Sequence, residues 1–249
     1  MIDLHSHILP GVDDGARTIE ESIQIARAAV ADGIEGIAAT PHVRDDYPTD
    51  PATMERRVED VREALAAAGV PLHVYTGGEI AFDRLADLGP DDRRRFGLGG
   101  NPGYLLVEFP YYGWPLGLAD DLFRVQVAGC TPVLAHPERN AEVQAAPERL
   151  EAIVEAGTLV QVTAASLDGR LGRTAREAGL QLIELRCAHL IASDAHHPGI
   201  RAVGMAAAAG AVGDEALARW LTDGVPRAVV EGTELPERPE ARRRGWFRR

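Results

Sequence analysis

The chain contains no lysine, so every basic side chain among its 26 is arginine. That excludes chemistry needing an amine, whether Schiff-base formation or the lysine of a phosphate-binding P-loop, and it reads mainly as the codon bias of a GC-rich genome. Cysteine is nearly absent as well. Cys130 and Cys187 stand alone, too few for a disulfide framework. No uninterrupted apolar stretch approaches the roughly 20 residues of a membrane span, and no secretory signal pattern opens the chain. Positive charge is in short supply: the formal balance over 249 residues is −12, the wrong sign for a nucleic-acid backbone. These absences predict a cytoplasmic, soluble protein that does not bind nucleic acid. The length suits a single α/β barrel around one core.

What is present is histidine at informative places. Residues 3 to 7 read Asp-Leu-His-Ser-His. Side chains two apart on an extended strand share a face, so His5 and His7 can aim their imidazoles at one point, a metal-binding geometry. Further histidines and acids follow short apolar runs: Asp14 in Gly-Val-Asp-Asp-Gly, His42 after Ile-Ala-Ala-Thr-Pro, Glu79 after Val-Tyr-Thr-Gly-Gly, Glu108 closing Leu-Leu-Val-Glu, His136 closing Pro-Val-Leu-Ala-His, and Asp194 with His196 closing Leu-Ile-Ala-Ser-Asp-Ala-His. Five of the eight histidines thus lie beside strand ends, a placement that scatter does not produce.

Strand and helix alternate along the chain. Thr18-Ile-Glu-Glu21 forms a capping box that opens an amphipathic helix to about Ala31. Strands are predicted at the N-terminus, 34–39, 72–75, 105–107, 131–135, 159–162 and 190–192, with helices near 55–68, 115–127, 147–156 and 170–178. Continuous short apolar runs are what strands buried on both faces require, and seven βα-like units close naturally into a parallel barrel. Functional groups of such barrels sit at the C-terminal ends of the strands, where the candidate residues fall.

Those residues carry a resemblance. His5-Ser-His7, Ala39-Thr-Pro-His42, Gly78-Glu79-Ile80, Glu108-Phe-Pro110, His136-Pro-Glu-Arg139 and Ser193-Asp-Ala-His196 resemble, in order, the motifs of the polymerase and histidinol phosphatase (PHP) superfamily. Leu9-Pro-Gly-Val-Asp-Asp-Gly15 and His136-Pro-Glu-Arg-Asn140 are similar to those of its bacterial protein-tyrosine phosphatases of capsule and exopolysaccharide clusters, the CpsB/CapC type. The likeness runs to about residue 205. It implies a distorted (β/α)7 TIM-like barrel, the PHP fold, holding three divalent ions. It implies His5, His7, Asp14, His42, Glu79, Glu108, His136, Asp194 and His196 as ligands: His5, His7, Glu79 and Asp194 on one ion, Glu108 with His136 on a second that Glu79 bridges, and Asp14, His42 and His196 on the third. Nitrogen and oxygen donors without thiolate point to manganese first, with iron, zinc, cobalt or magnesium behind it.

The implied activity is metal-dependent hydrolysis of phosphotyrosine in a partner protein, a membrane-associated bacterial tyrosine kinase controlling capsule synthesis, by attack of a metal-bound hydroxide. The rival readings are a small-molecule phosphoesterase such as histidinol-phosphate phosphatase, and a PHP module that binds metal without catalysis. Arg139 and Arg201 are placed to grip the phosphoryl oxygens with bidentate forks. Cysteine catalysis is excluded, because the position six after Cys130 is His136 and after Cys187 is Ser193, neither an arginine. Asp13 reads as a turn residue, His73 and His189 as packing or surface residues, and Arg93-Arg-Arg95 as a solvated turn. Tyr111-Tyr-Gly-Trp114 divides evenly between lid packing and stacking on a substrate ring. The barrel is assigned to 1–235. Residues 236–249, with five arginines, Trp246 and Phe247 after Ala241, read as a disordered basic tail suited to an anionic membrane surface.

Overall fold

A computed structural model describes residues 1–197 and 201–240 of the chain. Ten strands appear: β1 (Ile2–Ser6), β2 (Gly36–Ala39), β3 (His42–Arg44), β4 (Tyr47–Pro48), β5 (His73–Tyr75), β6 (Glu79–Ala81), β7 (Tyr104–Glu108), β8 (Thr131–Ala135), β9 (Leu159–Thr163) and β10 (Leu190–Ala192). They pair in the orders β1-β2-β5 and β10-β9-β8-β7-β6-β3-β4, all in parallel except the short β3–β4 hairpin. Successive segments β2 and β3 form one barrel strand bent at Thr40-Pro41, and β5 with β6 forms another bent at Thr76 to Gly78. Counted this way the barrel has seven strands. It closes where Asp194 N donates to His5 O and His7 N donates to Ala195 O, both at 2.8 Å. A buried latch reinforces that seam: Ser193 donates from N (2.9 Å) and Oγ (2.5 Å) to the Asp3 carboxylate.

β7, β8 and β10 are largely apolar because both faces of the sheet are covered. All five residues of β1 and of β9 are buried, with the side chains of Leu4, Leu106, Leu134, Val160 and Ile191 fully enclosed. The first helix covers Ile19–Ala31 as expected, with Thr18 accepting from Glu21 N. The second starts earlier than periodicity suggests, at Pro51, because Asp50 caps it and proline suits the first helical position. Other helices cover Leu118–Val127, Glu151–Glu155 and Arg173–Glu184, and a C-terminal helical run from Met205 to Glu231 closes the outer layer. Arg93-Arg-Arg95 ends a short helix, Pro90–Arg95, and Arg95 grips Glu55 with two hydrogen bonds.

The chain assigned to a tail from Pro236 is tied to the body for several residues. Trp220 donates to Pro236 O at 2.8 Å, and Arg238 donates to Ile183 O and Ala188 O, both at 2.7 Å. The arginine-rich stretch 242–249 lies outside the described residues. No helix among them is long and apolar enough to cross a membrane.

Candidate metal centre

Apart from Asp14, each nominated donor sits at or beside one end of a strand segment. His5 and His7 leave β1, His42 and Glu79 open the second segments β3 and β6, Glu108 ends β7, His136 follows β8, and Asp194 and His196 follow β10. Asp14 comes from the loop after β1. That loop turns tightly across His7: a Cβ on Gly15 would lie 2.1 Å from His7 O and 2.4 Å from His7 Cβ, so only glycine fits. Strain collects here as well. His136 (φ 40°) and Asp194 (φ 53°) are two of three non-glycine residues with left-handed backbone among those described, a conformation that persists when surroundings over-determine it.

The nine side chains converge in four overlapping sets: His5, His7 and Asp194; His5, Glu79 and His136; His42, Glu79 and Glu108; and His7, Asp14, His42 and His196. His5 Nε2 and His7 Nε2 are 3.3 Å apart, and each is 3.4 Å from Glu79 Oε2 and from Asp194 Oδ1. Donors about 2.1 Å from a common ion stand about 3.0–3.4 Å apart at right to tetrahedral angles, so the spacing fits a shared cation. Glu79 faces two ways, Oε1 at 2.8 Å from His136 Nε2 and Oε2 at 2.8 Å from His42 Nδ1, the disposition of a bridging carboxylate. Glu108 falls in with His42 and Glu79, not with His136 as the ligand partition expected. His136 instead groups with His5 and Glu79.

Nine buried side-chain polar atoms among the described residues lack a hydrogen-bond partner, and five belong to this cluster: His42 Nδ1, Glu79 Oε2, His136 Nδ1, Asp194 Oδ1 and His196 Nε2. Buried polar atoms without partners are costly, and such a concentration is what a cation-binding shell looks like. The imidazoles are also oriented. His7 Nδ1 faces Asp13 Oδ2 at 2.7 Å, His5 Nδ1 faces Gln161 Oε1 at 2.9 Å, and His196 Nδ1 faces Asp194 O at 2.9 Å. Each acceptor places the ring proton on Nδ1 and leaves the Nε2 lone pair aimed into the cluster.

Electrostatics divide the histidines. Burial holds His136 and His196 down to about 4, so both are neutral near pH 7. Burial opposes charge on His5, His7 and His42 too, yet carboxylates win: Glu79 and Asp194 raise His5, Asp13 raises His7, and Glu79 with Asp14 lifts His42 to about 9. Burial and the neighbouring Glu79 raise Glu108. The pocket is therefore an anionic one that favours positive charge.

Arginines ring the donors. Arg139 Nη1 and Arg201 Nη2 both donate to Asp194 Oδ2, at 2.6 and 3.0 Å, and Arg201 Nη1 is 3.5 Å from Asp14. Arg44, which motif reading does not single out, donates to Glu108 at 3.1 Å and lies over the Tyr47 ring. Asp13 is more than a turn residue: besides His7 it accepts from Gly15 N and His42 N. Gln161 likewise escapes any motif. Its signal is a polar side chain within an apolar strand, which a sequence alone leaves ambiguous. Tyr111 lies parallel to His136, with 8° between the rings, while Trp114 packs against Phe109 and carries Arg149 over its face. His73 is exposed, and His189 sits beside Trp220.

Residues 1–219 match the family described as "Capsular polysaccharide synthesis, CpsB/CapC". The chain is 38% identical over 198 residues to the tyrosine-protein phosphatase YwqE of Bacillus subtilis, covering 79% of this chain and 78% of the relative. It is 33% identical to the putative tyrosine-protein phosphatase CapC of Staphylococcus aureus, covering 79% and 77%. Among solved structures it is similar, with a TM-score of 0.86 and 32% identity over 97% of this chain and all of the other, to one reported with YwqE and Streptococcus pneumoniae CpsB as metal-dependent tyrosine phosphatases.

Proposed function

The chain belongs to the CpsB/CapC family of capsular polysaccharide synthesis, and on that premise we propose that it is a metal-dependent protein-tyrosine phosphatase. Its substrate is phosphotyrosine in a protein of capsule or exopolysaccharide synthesis, the tail of a tyrosine kinase in the first instance. The observation that carries the reading is the shared carboxylate of Asp194: one oxygen faces the donor imidazoles and the other takes both Arg139 and Arg201. Cation-binding and phosphate-binding groups thus meet at one residue.

Three divalent ions, manganese first, would be held among these nine donors: by His5, His7 and Asp194, by Glu79 as the shared carboxylate between His136 on one side and Glu108 with His42 on the other, and by Asp14 and His196 with His42. Bound there, they would lower the pKa of a coordinated water toward about 7 and neutralise phosphoryl charge. The protein's own groups supply the rest. Asp13 and Gln161 fix the rings of His7 and His5. Arg139 and Arg201 take the phosphoryl oxygens as planar forks, keeping phosphorus over the donor cluster as charge shifts onto those oxygens. Tyrosine departs as a phenolate whose conjugate acid has a pKa of about 10, so no strong general acid is needed.

Chelation followed by add-back tests the proposal. Demetallated protein should lose hydrolysis of a phosphotyrosyl peptide and regain it best with manganese, with little turnover of histidinol phosphate. Full activity in protein shown by elemental analysis to be metal-free would refute the reading, as would a preference for histidinol phosphate.

A further inference from the structure

The geometry points to Tyr111 as the residue that positions Arg139, a role that rests on the reading of Arg139 as a phosphate clamp. Arg139 and His136 are the two ends of one short turn, with Pro137–Arg139 in 3₁₀ conformation and His136 in the left-handed region. Tyr111 touches both ends. Its ring is parallel to the His136 imidazole at 5.7 Å between centroids, and the Arg139 guanidinium carbon lies 4.7 Å from its centre. The backbone around the tyrosine is pinned to the same turn: Ala141 N donates to Tyr111 O at 3.1 Å, and Asn140 Nδ2 donates to Pro110 O at 2.6 Å and Gly113 O at 2.9 Å.

An arginine side chain has several rotatable bonds, and one hydrogen bond does not fix its plane. Among the described residues the Arg139 guanidinium donates only through Nη1, to Asp194, which leaves Nε and Nη2 for phosphoryl oxygens. A ring face close to the guanidinium supplies the second restraint, an attraction between cation and π-system. Tyr111 therefore acts through the arginine, not by stacking on the substrate's ring. Its hydroxyl makes no hydrogen bond among the described residues and burial pushes its pKa up to about 12, so the ring and not the phenolate is what matters.

A double-mutant cycle on the metal-loaded protein tests this, with p-nitrophenyl phosphate and an alkyl phosphate as substrates. Tyr111→Leu should lower kcat/KM about 2- to 30-fold, the span of cation–π contributions, equally for both substrates. It should add nothing in an Arg139→Ala background, and Tyr111→Phe should restore the parent value. Independent, multiplying losses would overturn the proposal, as would a loss confined to the aryl ester or a drop in bound metal, which would place the effect on His136. Inorganic phosphate binding, read by calorimetry, separates this inference from the phosphatase reading. A parent that binds phosphate in a Tyr111- and Arg139-dependent way without hydrolysing phosphotyrosine would refute the phosphatase and leave the positioning role standing.

Discussion

Replacing Asp13 by asparagine changes one oxygen to an NH₂ group, and the surroundings have no place for it. Oδ2 accepts from His7 Nδ1 at 2.7 Å and His42 N at 3.0 Å, while Oδ1 accepts from Gly15 N at 2.9 Å. Burial works against charge on Asp13, yet His7 and these donors hold its pKa at about 2, so the carboxylate is ionised and all three contacts are charge-assisted. Asparagine has one acceptor oxygen. If it stays on His7 and His42, the amide NH₂ opposes the Gly15 N–H; if it turns to Gly15, the NH₂ faces His7 Nδ1 and selects the tautomer with its proton on Nε2. That proton would point at Glu79 and Asp194, each 3.4 Å away, and remove the lone pair meant for a cation. Losing the outer partner of a ligating histidine costs about 10- to 100-fold in metal affinity, or about 1.4–2.7 kcal/mol. Competition with a chromophoric chelator, together with elemental analysis, measures this directly. A folded Asp13→Asn protein with the parent's stoichiometry and dissociation constant would refute the argument that Asp13 sets the His7 tautomer.

Hydrogen bonds to charged groups contribute about 1.5–3 kcal/mol, so Arg139→Ala and Arg201→Ala should each slow phosphotyrosine hydrolysis about ten- to a hundredfold, with lysine recovering only part; parent rates and KM in both would remove the clamp. His189 is pushed down to about 4 by burial and then by the Arg238 charge, so between about pH 6.5 and 4 the unfolded chain binds a proton that the folded chain refuses, and its stabilising contribution, full above pH 6.5, disappears as pH falls through that window. Urea unfolding at pH 7 and 4.5 should show His189→Gln losing less stability on acidification than the parent, by up to about 3 kcal/mol, and equal losses would contradict the assignment. Deleting 242–249 should leave hydrolysis of a soluble aryl phosphate unchanged while weakening co-sedimentation with anionic vesicles at low salt, where exposed charges are screened least; equal recovery would make this stretch a plain terminus.

The barrel is legible because burial on both faces makes β7, β8 and β10 read as short apolar runs, and because a histidine or an acid stands at or just after the end of each. The bends in the second and third barrel strands are not legible. Thr40-Pro41 and Thr76-Gly-Gly78 read locally as loops, and only pairing of β3 with β6 shows that His42 and Glu79 resume the sheet. The same division runs through the site. Candidate donors announce themselves by type and spacing, whereas the residues that orient them do so across the fold: Gln161 meets His5 from 156 residues away and Arg44 meets Glu108 from 64. Nothing local distinguishes either from an ordinary polar residue. Asp13 could be suspected only from its neighbour Asp14, since the hydrogen bond to His7 depends on how the loop folds back.

The seam between β1 and β10 is held by little sheet: one isolated bridge, Ser6 with Ala195, two backbone hydrogen bonds and the Asp3 latch. The proposed metal donors straddle it, His5 and His7 on one bank and Asp194 and His196 on the other. A cation gripped by both banks, as proposed, would be a clasp on a hoop, joining His5 to Asp194 across the length of the barrel sequence. Its binding free energy adds to the barrel's resistance to opening by mass action, about 4 kcal/mol when free metal exceeds the dissociation constant a thousandfold. Starvation for metal would then cost such a cell more than turnover: the hoop would spring at its clasp, exposing the edges of β1 and β10 to proteolysis and to pairing with other chains.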